Sequence, residues 1–385
     1  MKALVFERSL SRFAAARVAS SVAPGGGARV GPLRLVDIEE PALPGPGWHR
    51  VRPRLAGICG SDLATVDGRS SRYFEPIVSF PFVPGHEVVG DIEGGGGRVV
   101  VEPVLACAAR GIDPPCASCA AGRNGNCEMI AFGGLKPGLQ TGYCADTGGG
   151  WAPLLVAHDS QLHRVPDAMA DEAAVMVEPT ACAVHAVESA AVAEGATVAV
   201  LGAGTLGLCT VAALRQLALP GTVIASAKHA AQRRLAAQLG ADVVAEPAEV
   251  RRAVRRDTRS LSVGHRLTGG ADVVVDCVGT EASVADALTM VRPRGTVVLV
   301  GMPGTVRVDL TPLWQRELRL AGSYAYRHAT FAAAFDLVAS AGLDRLVSAL
   351  YPLERYREAI DHAAHAGARG AVKVAFDLRD RKGSR

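Results

Sequence analysis

Apolar residues follow two textures along the chain. Up to about residue 160 they come in short runs, Ala3-Leu4-Val5-Phe6, Val88-Val89 and Val99-Val100-Val101, set among glycines and prolines. β-Branched runs bounded by turn formers predict strands joined by turns. The polar, alanine-rich stretch 9–31 lacks such a run and reads as an insertion in a surface loop. From Thr197 onward strand and helix patterns alternate. Strands are predicted at Thr197–Leu201, Thr222–Ser226, Asp242–Ala245, Ala271–Cys277, Gly295–Val300 and Arg319–Ser323, and a helix over Ala230–Leu239 ends at Gly240. Repeated strand–helix units build a doubly wound parallel sheet, so the fold class is α/β. The last sixty or so residues mix both patterns and are expected to rejoin the first domain.

One uncharged segment, Gly195 to Leu214, is long enough to suit a membrane span. Its four glycines and β-branched start argue instead for a buried strand, a tight turn and a buried helix. Composition adds little else. The 385 residues exceed one ordinary core, and 41 basic against 38 acidic side chains give no support for nucleic acid or an anionic membrane as partner. The first residues lack the apolar stretch of an export signal, which leads to the expectation of a cytoplasmic protein with reduced thiols.

Four of the nine cysteines cluster as Cys107, Cys116, Cys119 and Cys127, a Cys-x8-Cys-x2-Cys-x7-Cys pattern in a glycine- and proline-rich loop. Four thiolates can close a tetrahedral shell around a structural zinc; two disulfides or free thiols are the alternatives. Gly202-Ala203-Gly204-Thr205-Leu206-Gly207 follows a predicted strand and opens an apolar helix, the setting in which Gly-x-Gly-x-x-Gly cradles a dinucleotide pyrophosphate. About 20 residues further on, where NAD-specific sites place a carboxylate, stand Ala227, Lys228 and His229, with Arg233 and Arg234 close behind. Cations there suit a 2′-phosphate, which leans the reading to NADP(H) over NAD(H). Three further segments offer Cys59 beside Ser61 and Asp62, His86 beside Glu87, and Glu178 before Pro179. A thiolate, an imidazole and a carboxylate would leave a fourth position on zinc open for substrate.

Taken together, Gly57-Ile58-Cys59-Gly60-Ser61-Asp62, Pro84-Gly85-His86-Glu87, the four-cysteine lobe, Glu178-Pro179 and the Gly202–Gly207 turn resemble the zinc-containing alcohol and polyol dehydrogenase branch of the medium-chain dehydrogenase/reductase superfamily. The resemblance implies a mostly-β GroES-like catalytic domain over 1–162, a Rossmann domain over 163–323 and a return to the catalytic domain over 324–385. It implies a catalytic zinc on Cys59, His86 and Glu178 and a structural zinc on the lobe, two per subunit. Glu178 in its slot is similar to sorbitol- and glucose-dehydrogenase-like members, with Cys182 as a rival ligand. Glu87 is expected near the metal, Asp62 behind His86, and Ser61 at the start of a proton relay. Thr180, Leu206, Val278, Val300 and Met302 are expected around the nicotinamide, and Thr205 at the helix start beside the pyrophosphate.

Two departures stand out. Ala64 occupies the position where many relatives continue the relay with a histidine, and Ala108–Pro115 lengthens the first gap of the lobe. The expected function is hydride transfer between NAD(P)(H) and a secondary alcohol, polyol or sugar, or the matching carbonyl, by a homodimer or homotetramer. An NADPH-dependent biosynthetic reductase is the alternative, and a non-catalytic nucleotide-binding protein a third. Tyr73, Phe74, Trp151, Tyr324 and Tyr326 are pocket candidates that could equally serve packing.

Overall fold

A computed structural model describes residues 1–301 and 304–379. The chain divides into two compact units: one of Met1–Glu178, Arg327–Phe331 and the described residues from Asp344 on, the other of Pro179–Tyr326 and Ala332–Leu343.

The first unit is built on a seven-stranded sheet. Its order is Val347–Tyr351, Lys373–Asp377, Trp48–Gly57, Val88–Ile92, Gly97–Val101 and Leu162–Arg164, with Leu155–His158 also paired to Trp48–Gly57. Val51, Ala56, Val88, Val99, Val101, Trp151 and Phe376 lie in one buried cluster, each large side chain contributing ~1.5–3 kcal/mol by burial. The ten-residue strand Trp48–Gly57 positions the site. At its end, Gly57 N–H donates to Glu87 O (2.8 Å), and just past it Ile58 N–H donates to Val374 O (2.9 Å). Three segments distant in sequence are thereby drawn together where Cys59 begins.

The stretch expected to be a surface loop is helical instead: Leu10–Val22 and Gly27–Val30. The Ser9 hydroxyl caps the first helix by accepting from Arg12 N–H, and alanine supplies the propensity. Only Ala16 of that helix is buried, so it carried no apolar stripe to read. The insertion is docked through Asp67, which is fully buried and accepts from the N–H groups of Gly25 (3.0 Å) and Gly27 (3.2 Å).

In the second unit six strands run parallel in the order Val243–Ala245, Thr222–Ser226, Thr197–Leu201, Ala271–Asp276, Val291–Leu299 and Arg319–Gly322. By sequence that is third, second, first, fourth, fifth, sixth, the doubly wound arrangement. Its order reverses between the first and fourth strands, which opens a crevice at their carboxyl ends. Gly202 follows one of these strands and Cys277-Val278 the other. The uncharged segment is the strand Thr197–Leu201 and the helix Thr205–Leu217. Among the described residues no helix is long and apolar enough to cross a membrane.

Candidate active site

Cys59 caps the short helix Gly60–Val66, and its N–H is held by Asp62 Oδ2 at 2.9 Å. The other carboxylate oxygen, Oδ1, faces His86 Nδ1 at 3.4 Å, both atoms buried and without a closer partner. Burial works against a charged imidazole, but Asp62 and the hydrogen-bonded Cys59 outweigh it and hold the His86 pKa well above its ordinary value. One aspartate thus orients both the cysteine and the histidine. Gly85 explains the local Pro-Gly-His-Glu sequence: its φ is 96°, and a Cβ there would meet Trp151 Cδ1 at 2.4 Å. Trp151 is itself fully buried against Phe376, a packing aromatic rather than a pocket wall.

Glu178, 6% exposed, lies in the first turn of the helix Val177–Ala190. It is tied to the same neighbourhood by Lys373, a residue that sequence reasoning passed over. Burial lowers the Lys373 pKa, yet Glu87, Cys59 and Glu178 together raise it above the ordinary lysine value. Its ammonium donates to both Glu87 oxygens, at 2.7 and 2.6 Å. Glu87 is therefore an ion-pair partner in this structure. Ser61 is exposed, and its carbonyl accepts from Thr65 Oγ1 at 2.9 Å. Tyr143, also unforeseen, is hydrogen-bonded to that threonine hydroxyl at 3.2 Å and lies 6.1 Å from the His86 ring, centroid to centroid. Ala64 is buried.

In the lobe, the four sulfurs of Cys107, Cys116, Cys119 and Cys127 all lie within 4.8 Å of one another, and none is in a disulfide. Backbone N–H groups of Cys116 and Met129 donate to the sulfurs of Cys107 and Cys127, each at 3.4 Å. Without a cation so many thiolates repel. Burial opposes ionisation of Cys116, but hydrogen bonds from around Cys119 and Glu128 bring it down to about 7, while burial pushes Cys127 up to about 11. The donor set fits a closed tetrahedral zinc.

The long first gap of the lobe is organised by Arg110, 1% exposed. Its guanidinium donates to the carbonyls of Leu105 (2.9 Å), Phe132 (3.0 Å), Leu135 (3.3 Å), Lys136 (3.4 Å) and Gly138 (2.5 Å).

In the second unit the three glycines of the turn differ in what surrounds them. Gly202 has φ 87°, and a Cβ on it would meet Val278 Cγ2 at 2.5 Å; on Gly207 it would meet Gly202 O at 1.8 Å. Around Gly204 there is open space, and it caps the helix that begins at Thr205. Turn, packing and open approach are the three roles a dinucleotide cradle needs. Leu206 is half-buried in the first turn of that helix. Ala227 follows the second strand, Lys228 is exposed, and Arg233 donates to the carbonyls of both (2.9 and 3.0 Å) while pairing with Glu246 (3.0 Å). Arg233 therefore shapes the loop, while Lys228 and Arg234 are exposed cations beside it. Thr180 is buried and its hydroxyl donates to Cys209 Sγ at 3.6 Å. Val278 is 40% exposed and Val300 half-buried, whereas Met302 lies outside the described residues.

Comparison with known proteins matches two family profiles, "Alcohol dehydrogenase GroES-like domain" over residues 45–167 and "Zinc-binding dehydrogenase" over 205–340. The chain is 30% identical to a sorbitol dehydrogenase of Arabidopsis thaliana, covering 90% of this chain and 93% of that one. It is 29% identical to an L-idonate 5-dehydrogenase of Vitis vinifera, with the same coverage of 90% and 93%. A solved zinc-binding dehydrogenase from Sinorhizobium meliloti 1021 bound to NADP superimposes with a TM-score of 0.70 at 29% identity, over 90% of this chain and 95% of that one.

Proposed function

The chain belongs to the zinc-containing medium-chain dehydrogenase/reductase family, and from that premise we propose that it oxidises a polyol or secondary alcohol with NAD(P)+, or reduces the matching ketone. The observation that carries this reading is the arrangement of half-buried Cys59 with buried His86 and Asp62, and Glu178 acting on the same Lys373 as Cys59.

Cys59, His86 and Glu178 would hold the catalytic zinc, and Cys107, Cys116, Cys119 and Cys127 a second, structural one. When bound, zinc would acidify an alcohol there, as it lowers the pKa of water to near neutrality. Asp62, facing Nδ1, fixes the tautomer of His86 so that its other nitrogen carries the lone pair. Exposed Ser61 would pass the hydroxyl proton outward, and because the Ala64 side chain cannot carry it further, that proton would leave through water. The N–H groups at the start of the Thr205 helix and the open face of Gly204 take the pyrophosphate. Exposed Lys228 would offer a cation to a ribose 2′-phosphate, which supports NADP(H).

That lysine, with no carboxylate at Ala227, also supports a second reading in which the enzyme runs chiefly as an NADPH-dependent reductase. A panel of polyols, secondary alcohols and ketones assayed with both cofactors tests these proposals. Turnover of polyols, several-fold faster at limiting NADP+ than NAD+, is expected; no turnover of any member with either cofactor would refute them. We also propose a cytoplasmic homodimer or homotetramer, which light scattering on the purified protein tests for its oligomeric part.

A further inference from the structure

Outside the two zinc sites, one more group of side chains in the first unit has the composition of a metal centre. Glu102 follows the strand Gly97–Val101 and is buried. Its backbone is pinned on both sides by Gln161, the N–H donating to Gln161 O (2.7 Å) and the carbonyl accepting from Gln161 Nε2 (2.9 Å). One carboxylate oxygen, Oε2, lies 2.9 Å from His163 Nε2 and 2.6 Å from His328 Nδ1. His163 is on the strand Leu162–Arg164, directly opposite Val100 in the register. Its ring stacks on Phe331 at 4.1 Å with 6° between the planes, so its orientation is fixed. His328 belongs to the segment Arg327–Phe331, which sits with the first unit although its sequence neighbours do not. The ligand atoms of all three residues lie within 4.8 Å of one another.

The geometry points to a third metal site on this chain, in which Glu102, His163 and His328 bind a divalent transition-metal ion of the zinc, nickel or cobalt class. The two imidazoles are borderline donors that suit zinc, nickel or cobalt rather than magnesium or calcium, and the carboxylate adds a negative charge that any of these cations accepts. The gradient of exposure fits a site that can be loaded from solution: the Glu102 side chain is 2% exposed, His163 15% and His328 52%. Two members are held by the sheet, and the third faces water, which would complete the coordination shell. Ligand bonds of about 2.0–2.2 Å require the present N···O contacts to open by less than about 1 Å. The half-exposed His328 can make that movement without disturbing the core. An ion here would tie the Arg327–Phe331 segment to the sheet through a bond that neither zinc of the proposed catalytic function supplies. Occupancy does not depend on that function.

Calorimetric titration of the purified protein, resident metals left in place, with NiCl2 and separately ZnCl2 tests the site, alongside His328→Ala and His163→Ala. Circular dichroism and the content of resident zinc confirm that both variants are folded and otherwise loaded. Expected is one saturable equivalent in the wild type that weakens at least tenfold in each variant, and a metal-induced rise in Tm that His328→Ala abolishes. An unchanged titration in folded His328→Ala, or no saturable binding to the wild type, overturns the proposal. In that event the three groups share protons only.

Discussion

The ammonium of Lys373 lies 2.7 and 2.6 Å from the two carboxylate oxygens of Glu87, and both side chains are at most 2% exposed. Neither charge has water to fall back on. Removing one partner leaves the other buried and uncompensated, at a cost of about 3–5 kcal/mol. Lys373→Met should therefore lower the urea midpoint sharply. Adding Glu87→Gln to it should recover much of the loss, because the stranded charge is then gone. Equal midpoints for wild type and Lys373→Met would show that the pair is not the closed unit the distances describe.

Arg110 plays the corresponding part in the lobe. Five carbonyls converge on it, and its positive charge stands near Cys107 and Cys127. Replacing it with methionine leaves those acceptors unpaired, each at about 1–3 kcal/mol when buried. Arg110→Met is expected to release lobe zinc faster to a chromogenic chelator and to reduce Tm. Release at the wild-type rate would remove Arg110 from any role in holding the loop.

The glycines of the nucleotide turn separate folding from binding. Gly207→Ala drives a Cβ to 1.8 Å from Gly202 O and should destabilise the second unit. Gly204→Ala meets nothing within 4 Å, so its Tm should stay near wild type. If that open space receives a pyrophosphate, Gly204→Ala should nevertheless weaken NAD(P)H binding about tenfold or more by fluorescence titration, an effect of roughly 1.4 kcal/mol. Undiminished affinity would place the cofactor elsewhere.

How much of this was legible beforehand follows from what each feature writes into the sequence. The parallel sheet was, because buried strands such as Thr197–Leu201 and Ala271–Asp276 are β-branched runs of the right length. The lobe cysteines were, because their spacing is local. Lys373 was not: it meets Glu87 across 286 residues, and a lone lysine in an apolar strand carries no periodic signal. Arg110 sat inside a segment read as an insertion, its partners all backbone carbonyls whose positions no residue type reveals. The Leu10–Val22 helix escaped because alanine and polar residues give it propensity without an apolar stripe. Glu102, His163 and His328 come from three segments and share no motif.

Asp171 gives the clearest pH dependence. It is 5% exposed and accepts from Arg54 Nε (2.8 Å) and Arg98 Nη1 (2.8 Å), with Arg379 Nη1 at 3.5 Å. Burial would raise its pKa, but the hydrogen bonds from Arg54 and Arg98 prevail and lower it below the ordinary 3.8. A carboxylate depressed in the folded state stabilises fully above its unfolded pKa and loses that contribution as pH falls through the folded value. Asp171→Asn should thus be less stable than wild type near neutrality. The gap should narrow on acidification below about pH 4. A gap that stays constant from neutrality down to the acid transition would contradict the assignment.

The proposed activity requires Glu178 to close a zinc site with Cys59 and His86. Zinc content and turnover of Glu178→Ala, measured on one preparation beside the wild type, test this most directly. The expected result is the loss of one of two zinc equivalents and of turnover by at least a thousandfold, with lobe zinc and NAD(P)H binding retained. Wild-type turnover with both equivalents still bound would contradict it.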